Sequence, residues 1–334
     1  MPHSVVTPRS TVAPLIAAAL TSIACVLVVA PHWFGIERWF VFAQLVSLRG
    51  IAAIALGVAA VAFIVVAVAA RRVRVVAVCV GVVFALAASV SLGVLHNRGL
   101  SVAQPADGDL VVVSWNTHVD RPGAQPVADL AREHDADIVV LPETSTILAD
   151  EVVAMLGREG KVMVAHAAFD VMGFTETSLL IDESLGDYEW VEAAGSTPNL
   201  PSGVWKPTSG SGPTIVAAHP YPPLPGGMDD WRSGLDWIAD QCTGPNVIVA
   251  GDLNATVDHW PGSFAGGELG DCSDAAIAVD AAALGTWPTS LPPALGTPID
   301  HVLATSQWRP LSFTVVTDHD KAGSDHRPVI AVFD

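Results

Sequence analysis

Lysine and acidic residues are both scarce over large parts of this sequence. Only three lysines occur in 334 residues, and a single acidic residue, Glu37, lies within the first hundred positions. The other 33 acidic residues share positions 101–334 with nine basic ones, which gives this part a formal charge of −24. Proteins bind the nucleic-acid backbone mainly through lysine and arginine. The charge therefore argues against nucleic acid as the preferred partner.

The first hundred residues lack long polar stretches. Three apolar segments occupy positions 13–30, 50–70 and 75–95, and the second and third have about the 20 residues that span a bilayer. A cleaved signal peptide is the alternative for the first segment, but two more segments follow and no small-residue cleavage site stands out. We predict a membrane anchor of three transmembrane helices at 1–95, a linker at 96–109 and a folded domain at 110–334.

The basic residues of the short loops predict the orientation of this anchor. Four share one side of the membrane: Arg9, Arg71, Arg72 and Arg74. The other side has three and one acid: Arg38, Arg49, Arg98 and Glu37. Cytoplasmic loops carry an excess of Lys and Arg. We therefore expect a multi-pass protein of the cell membrane, with a cytoplasmic N-terminus and an extracytoplasmic C-terminal domain.

Cysteine is also rare, with four in the chain. Cys25 and Cys79 lie within apolar segments, where a buried thiol is ordinary. Cys242 and Cys272 are the two in the outer domain, and they can form a disulfide in an oxidising compartment. Two free thiols are the alternative, because the sequence does not give the distance between the two Cα atoms.

From position 110 onward, apolar runs of strand length alternate with helical patterns. We predict strands at 110–115, 138–141, 214–218, 247–250, 302–304 and 329–333, and helices at 127–133 and 231–240. No internal repeat is present. The alternation predicts a layered α/β domain whose active site is made from loops at the strand ends.

Five short polar motifs adjoin these apolar runs. They are Ser-Trp-Asn-Thr-His at 114–118, Leu-Pro-Glu-Thr at 141–144, Ala-His-Pro at 218–220, Ala-Gly-Asp-Leu-Asn at 250–254, and the pair Ile-Asp-His at 299–301 with Gly-Ser-Asp-His-Arg-Pro at 323–328. Each motif alone fits a turn, a solvated surface or a structural histidine. All five in this order, each beside a strand, indicate a catalytic site.

Hydrolysis of a phosphoester explains these residue types. Glu143 offers a carboxylate and Asn116 a neutral carbonyl oxygen, which are ligands for a hard cation such as Mg²⁺. Asp252 can orient or deprotonate the attacking water. The Asn254 amide can donate a hydrogen bond to a phosphoryl oxygen.

An Asp–His pair is expected to complete the site. Asp300 can fix the tautomer of His326, which then acts as a general base or stabilises phosphoryl charge, and His219 is a second imidazole for the phosphate. In the alternative, Asp300 caps a turn and His301 is the functional imidazole. Adjacent strand residues point to opposite faces, so only one of Asp300 and His301 can face the cleft.

The ordered motif set resembles the endonuclease/exonuclease/phosphatase superfamily over residues 109–334. That superfamily includes type-I deoxyribonucleases, abasic-site endonucleases, neutral sphingomyelinases and inositol-polyphosphate phosphatases. The resemblance implies a four-layer α/β sandwich of two packed mixed β-sheets flanked by helices. It also implies metal binding by Glu143 with Asn116 close by, and Asp325 as a further metal or water ligand. His118 departs from the pattern, since many nuclease members have an acid there.

The anchor narrows the resemblance to a subgroup. Three spans before such a domain are similar to actinomycete membrane proteins associated with resistance to teicoplanin-type glycopeptides. That similarity implies a lipid-linked phosphate or pyrophosphate as the partner, undecaprenyl pyrophosphate being one candidate, with Mg²⁺ or alternatively Mn²⁺ as cofactor. Other readings are a sphingomyelinase-like phosphodiesterase, an extracellular nuclease and a catalytically silent interaction module. Three tryptophans either form a lipid-facing rim or are packed: Trp205, Trp231 and Trp260.

Overall fold

The computed structural model describes residues 12–101, 106–169, 176–209, 212–260 and 267–334. The described residues of the N-terminal part form four α-helices: α1 Val12–Val29, α2 Phe42–Ser47, α3 Arg49–Ala69 and α4 Arg74–Arg98. Helix α4 packs against both α1 and α3. The short helix α2 lies in the connection that was predicted as a loop between the first two spans.

Two of these helices, α3 and α4, are long and apolar enough to cross a membrane, with mean hydropathies of 3.0 and 2.6. Only 17% and 33% of their most apolar stretches is buried within the protein, whereas the core helix of a soluble protein is mostly buried. The apolar part of α1, Pro14–Val29, is shorter. The prediction of three spanning helices is therefore supported in part, by two candidate spans.

The remainder of the chain folds into two six-stranded sheets. The first has the order β11-β12-β1-β2-β4-β3 and the second the order β5-β6-β7-β8-β10-β9. The strands of the first sheet are β1 Leu110–Ser114, β2 Ile138–Pro142, β3 Met163–Phe169, β4 Glu176–Asp182, β11 Pro310–Val315 and β12 Val329–Phe333. Those of the second are β5 Tyr188–Trp190, β6 Gly203–Pro207, β7 Thr214–Ala218, β8 Val247–Asp252, β9 Ser273–Asp274 and β10 Asp300–Ala304.

Helices cover the outer face of each sheet. They are α5 Ala124–Glu133 and α6 Thr146–Arg158 on the first sheet and α7 Met228–Gln241 on the second, while the short α8 Ala275–Ala278 packs into the core between the sheets. One core lies between the sheets and includes Val112 and Val140 from the first and Ile248 and Val302 from the second. Separate cores join the first sheet to α5 and α6, and the second to α7. Each sheet has one parallel pair, β1–β2 or β7–β8, among antiparallel ones. The predicted sandwich of two mixed sheets flanked by helices is confirmed.

The predicted linker at 96–109 begins differently from the prediction. Helix α4 continues to Arg98, and the next residues pair with the folded domain. Ala282 N–H donates to Arg98 O at 3.0 Å and Ser101 N–H donates to Asp280 O at 2.9 Å. A Cβ at Gly99 would lie 1.8 Å from Asp280 O, so this close approach requires glycine. The segment leaving α4 is therefore held against the domain as far as residue 101.

Two alternatives left open by the sequence have a clear outcome. Cys242 and Cys272 form a disulfide with their Cα atoms 5.7 Å apart, a separation that is usual for a disulfide. The three tryptophans proposed as a lipid-facing rim are instead packed in the core, each no more than 1% exposed: Trp205, Trp231 and Trp260. The rim hypothesis was therefore wrong.

Candidate active site

The predicted site residues converge because their strands end at one edge of the two packed sheets. Asp252 ends β8 and is the register partner of Asp300, which begins β10. Five others lie in loops that precede or follow strands: Asn116 after β1, Glu143 after β2, His219 after β7, Asn254 after β8 and His326 before β12. The loops of both sheets therefore line the same cleft.

Asp300 contacts His326 directly. The Nδ1 atom of His326 lies 2.9 Å from Oδ2 and 3.2 Å from Oδ1 of Asp300, and both residues are buried. Thr286 Oγ1 accepts the Asp300 N–H at 3.2 Å. Ser324 Oγ accepts the His326 N–H at 3.0 Å and donates to Asn116 O at 2.7 Å. The backbones of both Asp300 and His326 are thus held by hydrogen bonds to hydroxyl side chains.

His301 is engaged elsewhere. Its Nδ1 lies 2.6 Å from Asp274 Oδ2, and its Nε2 lies 2.9 Å from Ala255 O. Both ring nitrogens thus have acceptors within the buried interior. The imidazole that Asp300 contacts is that of His326, which is the arrangement expected for the predicted pair; its catalytic role remains a prediction.

The His326 imidazole is a cation at neutral pH. Burial by itself lowers the pKa of His326, but the negative charges of Asp300 and Asp252 outweigh it and raise the pKa to about 10. The Nε2 atom faces Asp252 Oδ2 at 3.8 Å. A protonated imidazole stabilises negative charge or donates a proton, and it is not available as a base. Of the two roles that the sequence left open for His326, the charge-stabilising one fits this pKa.

This raised pKa predicts a pH-dependent stability of the metal-free protein. The folded-state pKa is about 10 against an ordinary 6.5, so the stabilisation from protonated His326 is complete below pH 6.5. It is lost as the pH rises toward 10. We expect the melting-temperature difference between wild type and His326→Gln, measured in chelator, to shrink over this interval. A difference that stays constant or grows between pH 6.5 and 10 would contradict the ion pair.

Asn116 links two carboxylates. Its Nδ2 atom donates to Glu143 Oε1 at 2.9 Å and to Asp252 Oδ2 at 3.1 Å. Its Oδ1 atom, which was expected to face a metal, accepts the His118 N–H at 2.8 Å. Asn116 is thus placed to set the separation of Glu143 and Asp252. Metal binding through its oxygen remains a prediction.

Asp252 is a buried carboxyl group with a raised pKa. Burial raises its pKa to about 7, with help from the nearby charge of Asp300, while His326 and hydrogen bonds from Asn254 and Asn116 oppose the shift. Its Oδ1 accepts the Asn254 N–H at 2.9 Å. The Asn254 side chain donates one amide hydrogen to Pro220 O at 3.0 Å, which leaves the other for a ligand.

His219 is buried beside the carboxylates. Its Nε2 atom lies 3.8 Å from Glu143 Oε1 and 3.9 Å from Asp252 Oδ2. Burial lowers the pKa of His219 to about 4, although Glu143 opposes the shift, so the ring is neutral at pH 7. Its backbone N–H donates to Ser202 Oγ at 2.8 Å. The cleft therefore holds one neutral and one cationic imidazole.

Asp325 lies at the rim, where both of its oxygens have donors. One pairs with His118 Nδ1, and the other accepts the Trp287 indole N–H at 3.0 Å. The His118–Asp325 contact accounts for the departure at His118, because an acid there would face another acid. The assignment of Asp325 as a metal or water ligand remains a prediction.

A possible acidic and histidine metal site lies within this cleft. Asp252, Asp300 and His326 each offer one ligand atom, and these atoms all lie within 4.8 Å of one another. However, Asp300 and His326 already contact each other, with Asp300 Oδ2 2.9 Å from His326 Nδ1. The Glu143 carboxylate is 31% exposed beside Asp252. A hard cation with oxygen ligands therefore fits better at the partly exposed Glu143 carboxylate.

Several supporting residues were missed from the sequence. Ser202, Thr286 and Ser324 hold the backbones of His219, Asp300 and His326 respectively. Ser324 lies in a motif already singled out, two residues before His326, so its position was a usable signal. Ser202 lies 17 residues before His219 and carried no such signal.

Comparison with known proteins gives a family match and similar folds. Residues 113–326 match the endonuclease/exonuclease/phosphatase family. Among solved structures, TDP2 from C. elegans has a TM-score of 0.50 at 15% identity, covering 75% of this chain and 80% of that one. D. rerio TDP2 complexed with a single-strand DNA product has a TM-score of 0.50 at 14% identity, covering 68% and 100%.

A mannosyl-6-phosphatase from Bacteroides thetaiotaomicron has a TM-score of 0.46 at 16% identity, covering 68% of this chain and 100% of that one. No curated protein matches the sequence. The solved structures show the fold alone at these identities. The family match covers well over half of the chain and includes every predicted site residue. Members of that family are phosphoesterases, typically metal-dependent, and this chain belongs to the endonuclease/exonuclease/phosphatase family.

Proposed function

We propose that this protein is a membrane-anchored, metal-dependent phosphohydrolase whose substrate is a lipid-linked phosphate or pyrophosphate. One observation carries the proposal: the loops that form the cleft also contact the helices of the anchor. The substrate of a site next to a bilayer surface is most readily a headgroup of that bilayer.

Three segments connect the cleft to the anchor. The loop after His219 is bound by the Gln44 side chain of α2, whose Nε2 donates to Pro223 O at 2.6 Å. The loop before Asp300 abuts the first turn of α3, where a Cβ on Gly50 would lie 2.9 Å from Ala294 O. The third is the segment after Asp252, where His259 Nε2 lies 3.1 Å from Ala43 O.

The residues of the cleft divide the chemistry among them. Glu143, with Asn116 beside it, would hold Mg²⁺ or alternatively Mn²⁺, and Asp325 is a further candidate ligand. The cation would neutralise charge on non-bridging phosphoryl oxygens. Asp252, with a pKa of about 7, accepts a proton from the attacking water.

The imidazoles and the amide act on the phosphoryl group. Cationic His326, held by Asp300, stabilises the developing negative charge or protonates the leaving oxygen. His219 and the second amide hydrogen of Asn254 donate hydrogen bonds to phosphoryl oxygens. All of these contacts are made to the phosphoryl group, so they do not depend on which group is attached to the phosphate.

The charge of the outer domain favours lipid over nucleic acid. Residues 101–334 carry 33 acidic and nine basic residues, so a long polyanion is repelled. A single headgroup phosphate needs only the local site. An extracellular nuclease is therefore the weaker alternative, and a sphingomyelinase-like phosphodiesterase the stronger one, because it shares the membrane location.

The direct test is hydrolysis by the full-length protein in lipid vesicles. We expect phosphate release from lipid monophosphates or pyrophosphates, undecaprenyl pyrophosphate among them, and loss of that activity in chelator. Release of a phosphorylated headgroup instead would indicate the phosphodiesterase. Activity on an undecaprenyl substrate would connect the protein to cell-wall synthesis and to glycopeptide resistance. No turnover of any lipid phosphate would contradict the proposal.

We further propose that the C-terminal domain is extracytoplasmic. Helix α3 has 21 residues, so its two ends are about 30 Å apart, the thickness of the hydrocarbon core. The domain contacts one end, and three exposed arginines lie near the other: Arg71, Arg72 and Arg74. At the domain end, arginines are neutralised by carboxylates of the domain, as in the pairs of Arg38 with Asp236 and Arg49 with Asp258. The positive charge that is not neutralised therefore lies at the other end of α3, which is the excess expected on the cytoplasmic side.

A reporter fused after Asp334 tests this topology. One that functions only outside the cytoplasm should be active, and one that functions only inside should be silent. Fusions within the 71–74 loop should give the reverse pattern. A cytoplasmic reporter that is active after Asp334 would show that the orientation is inverted.

A further inference from the structure

A buried ionic cluster joins the anchor to the outer domain at a distance from the cleft. Asp258 accepts from Arg98 Nη1 at 2.6 Å and Nη2 at 2.8 Å, and from Arg49 Nη2 at 2.5 Å. The exposed fractions of the three side chains are 4–6%. Arg49 is the first residue of α3 and Arg98 the last of α4, so one carboxylate is held by the ends of both helices.

The chain connects this carboxylate to the catalytic groups through a short buried segment. Asp258 follows Asp252 by six residues and Asn254 by four. The apolar residues between and just beyond them are fully buried: Leu253, Ala255, Val257 and Trp260. Within the segment, the Thr256 N–H donates to His259 Nδ1 at 2.8 Å. A segment packed on all sides transmits a displacement at one end to the other.

Electrostatic attraction, and not packing alone, stabilises this cluster. Burial by itself raises the pKa of Asp258, but Arg98 and Arg49 outweigh it and hold the pKa well below its usual range. Asp258 is therefore ionised in the folded protein at neutral pH. Removing its charge would leave two guanidinium groups in a buried site without their carboxylate, and water or a backbone shift would have to compensate.

We propose that Arg49 and Arg98, acting through Asp258, are positioning residues that set the placement of Asp252 and Asn254 in the cleft. The membrane helices are then part of the catalytic unit and not only a tether. This inference rests on the proposed phosphohydrolase activity. It predicts that the ends of α3 and α4 control the turnover number of a site to which they contribute no side chain.

The test compares Asp258→Asn with a matched control in the full-length protein in lipid nanodiscs. The control is Asp236→Asn, because Asp236 also joins the domain to the anchor, through Arg38 at 2.6 Å, but is 68% exposed and lies on α7. Turnover is measured on a short-chain, water-soluble phosphoester and on a lipid phosphate. Folded protein is quantified by near-ultraviolet circular dichroism.

We expect Asp258→Asn to lower kcat about 10- to 100-fold per folded molecule, since a misplacement of about 1 Å can cost this much. KM for the soluble substrate and the Mg²⁺ concentration for half-maximal activity should change little, because Glu143 lies on another loop. Asp258→Glu should recover part of kcat. Asp236→Asn should match wild type.

A lowered melting temperature with an unchanged kcat per folded molecule would overturn the inference, because the cluster would then be only structural. If Asp258→Asn does not fold, Arg49→Lys replaces it: this variant keeps the charge but loses the planar fork. It should lower kcat, and an unchanged kcat would overturn the inference. Wild type that hydrolyses only the soluble substrate refutes the lipid proposal and leaves this comparison intact. No turnover of either substrate by wild type overturns both.

Discussion

Replacing Glu143 by alanine should abolish hydrolysis and leave the fold intact. The Glu143 side chain is 31% exposed and contacts Asn116 and His219 at the surface of the cleft. A bound cation supplies several kcal/mol of charge stabilisation in phosphoryl transfer, so its loss corresponds to a rate reduction of roughly 10³-fold or more.

The measurement is kcat/KM with saturating Mg²⁺, together with the melting temperature. Glu151→Ala is the matched control, because Glu151 is an exposed carboxylate on the neighbouring helix α6. The control should behave as wild type in both measurements. Full activity of Glu143→Ala, or undiminished wild-type activity in a strong chelator, would rule out the assigned metal role.

Removing Asp300 and His326 should have strongly non-additive effects. The 2.9 Å contact between His326 Nδ1 and Asp300 Oδ2 makes the two side chains one unit, since Asp300 both orients the ring and raises its pKa. Each single alanine variant should lose several orders of magnitude in kcat. The double variant should be little worse than His326→Ala, as found when groups act together.

His301→Ala is the control for this cycle. His301 is as deeply buried as His326, but it bonds Asp274 and the backbone, so its loss should lower stability and leave kcat per folded molecule nearly unchanged. Strictly additive losses at Asp300 and His326 would argue against a common unit. A larger kcat loss for His301→Ala than for His326→Ala would reassign the functional imidazole.

The sequence was sufficient for the parts of the fold that local pattern determines. The strands at 214–218 and 329–333 have the predicted bounds, because each is a continuous apolar run buried on both faces. The strands that end at Asp252 and begin at Asp300 were each predicted two residues too short, because their end residues resemble those of loops. Site residues at the strand ends were brought together as expected.

Elements without a continuous apolar run were missed. Strand β3 is largely half-exposed, and β6 begins at Gly203 and ends at Pro207, so neither has a clear period-two pattern. Helix α6 was also missed, although its N-cap Ser145, which accepts the Leu148 N–H at 3.1 Å, was a readable start signal.

Contacts between residues that lie far apart in the chain could not be predicted from the sequence. Asp258 meets Arg49 and Arg98 across 209 and 160 residues, and no local pattern relates them. The orientation of the Asn116 side-chain amide also depends on such contacts. The sequence places this amide in the cleft. Glu143 and Asp252, which accept from its Nδ2, and the His118 N–H, which donates to its Oδ1, determine its orientation.

The most direct test of the central claim compares lipid and DNA as substrates of the same preparation. The full-length protein in vesicles is given a lipid phosphate or pyrophosphate, and separately supercoiled plasmid, at equal phosphate concentration, low salt and saturating Mg²⁺, with Glu143→Ala as the blank. The charge of −24 on residues 101–334 and the contacts of the cleft loops with helix α2 of the proposed anchor predict that lipid hydrolysis greatly exceeds nicking. Robust plasmid nicking, with no phosphate or headgroup released from any lipid, would contradict the account.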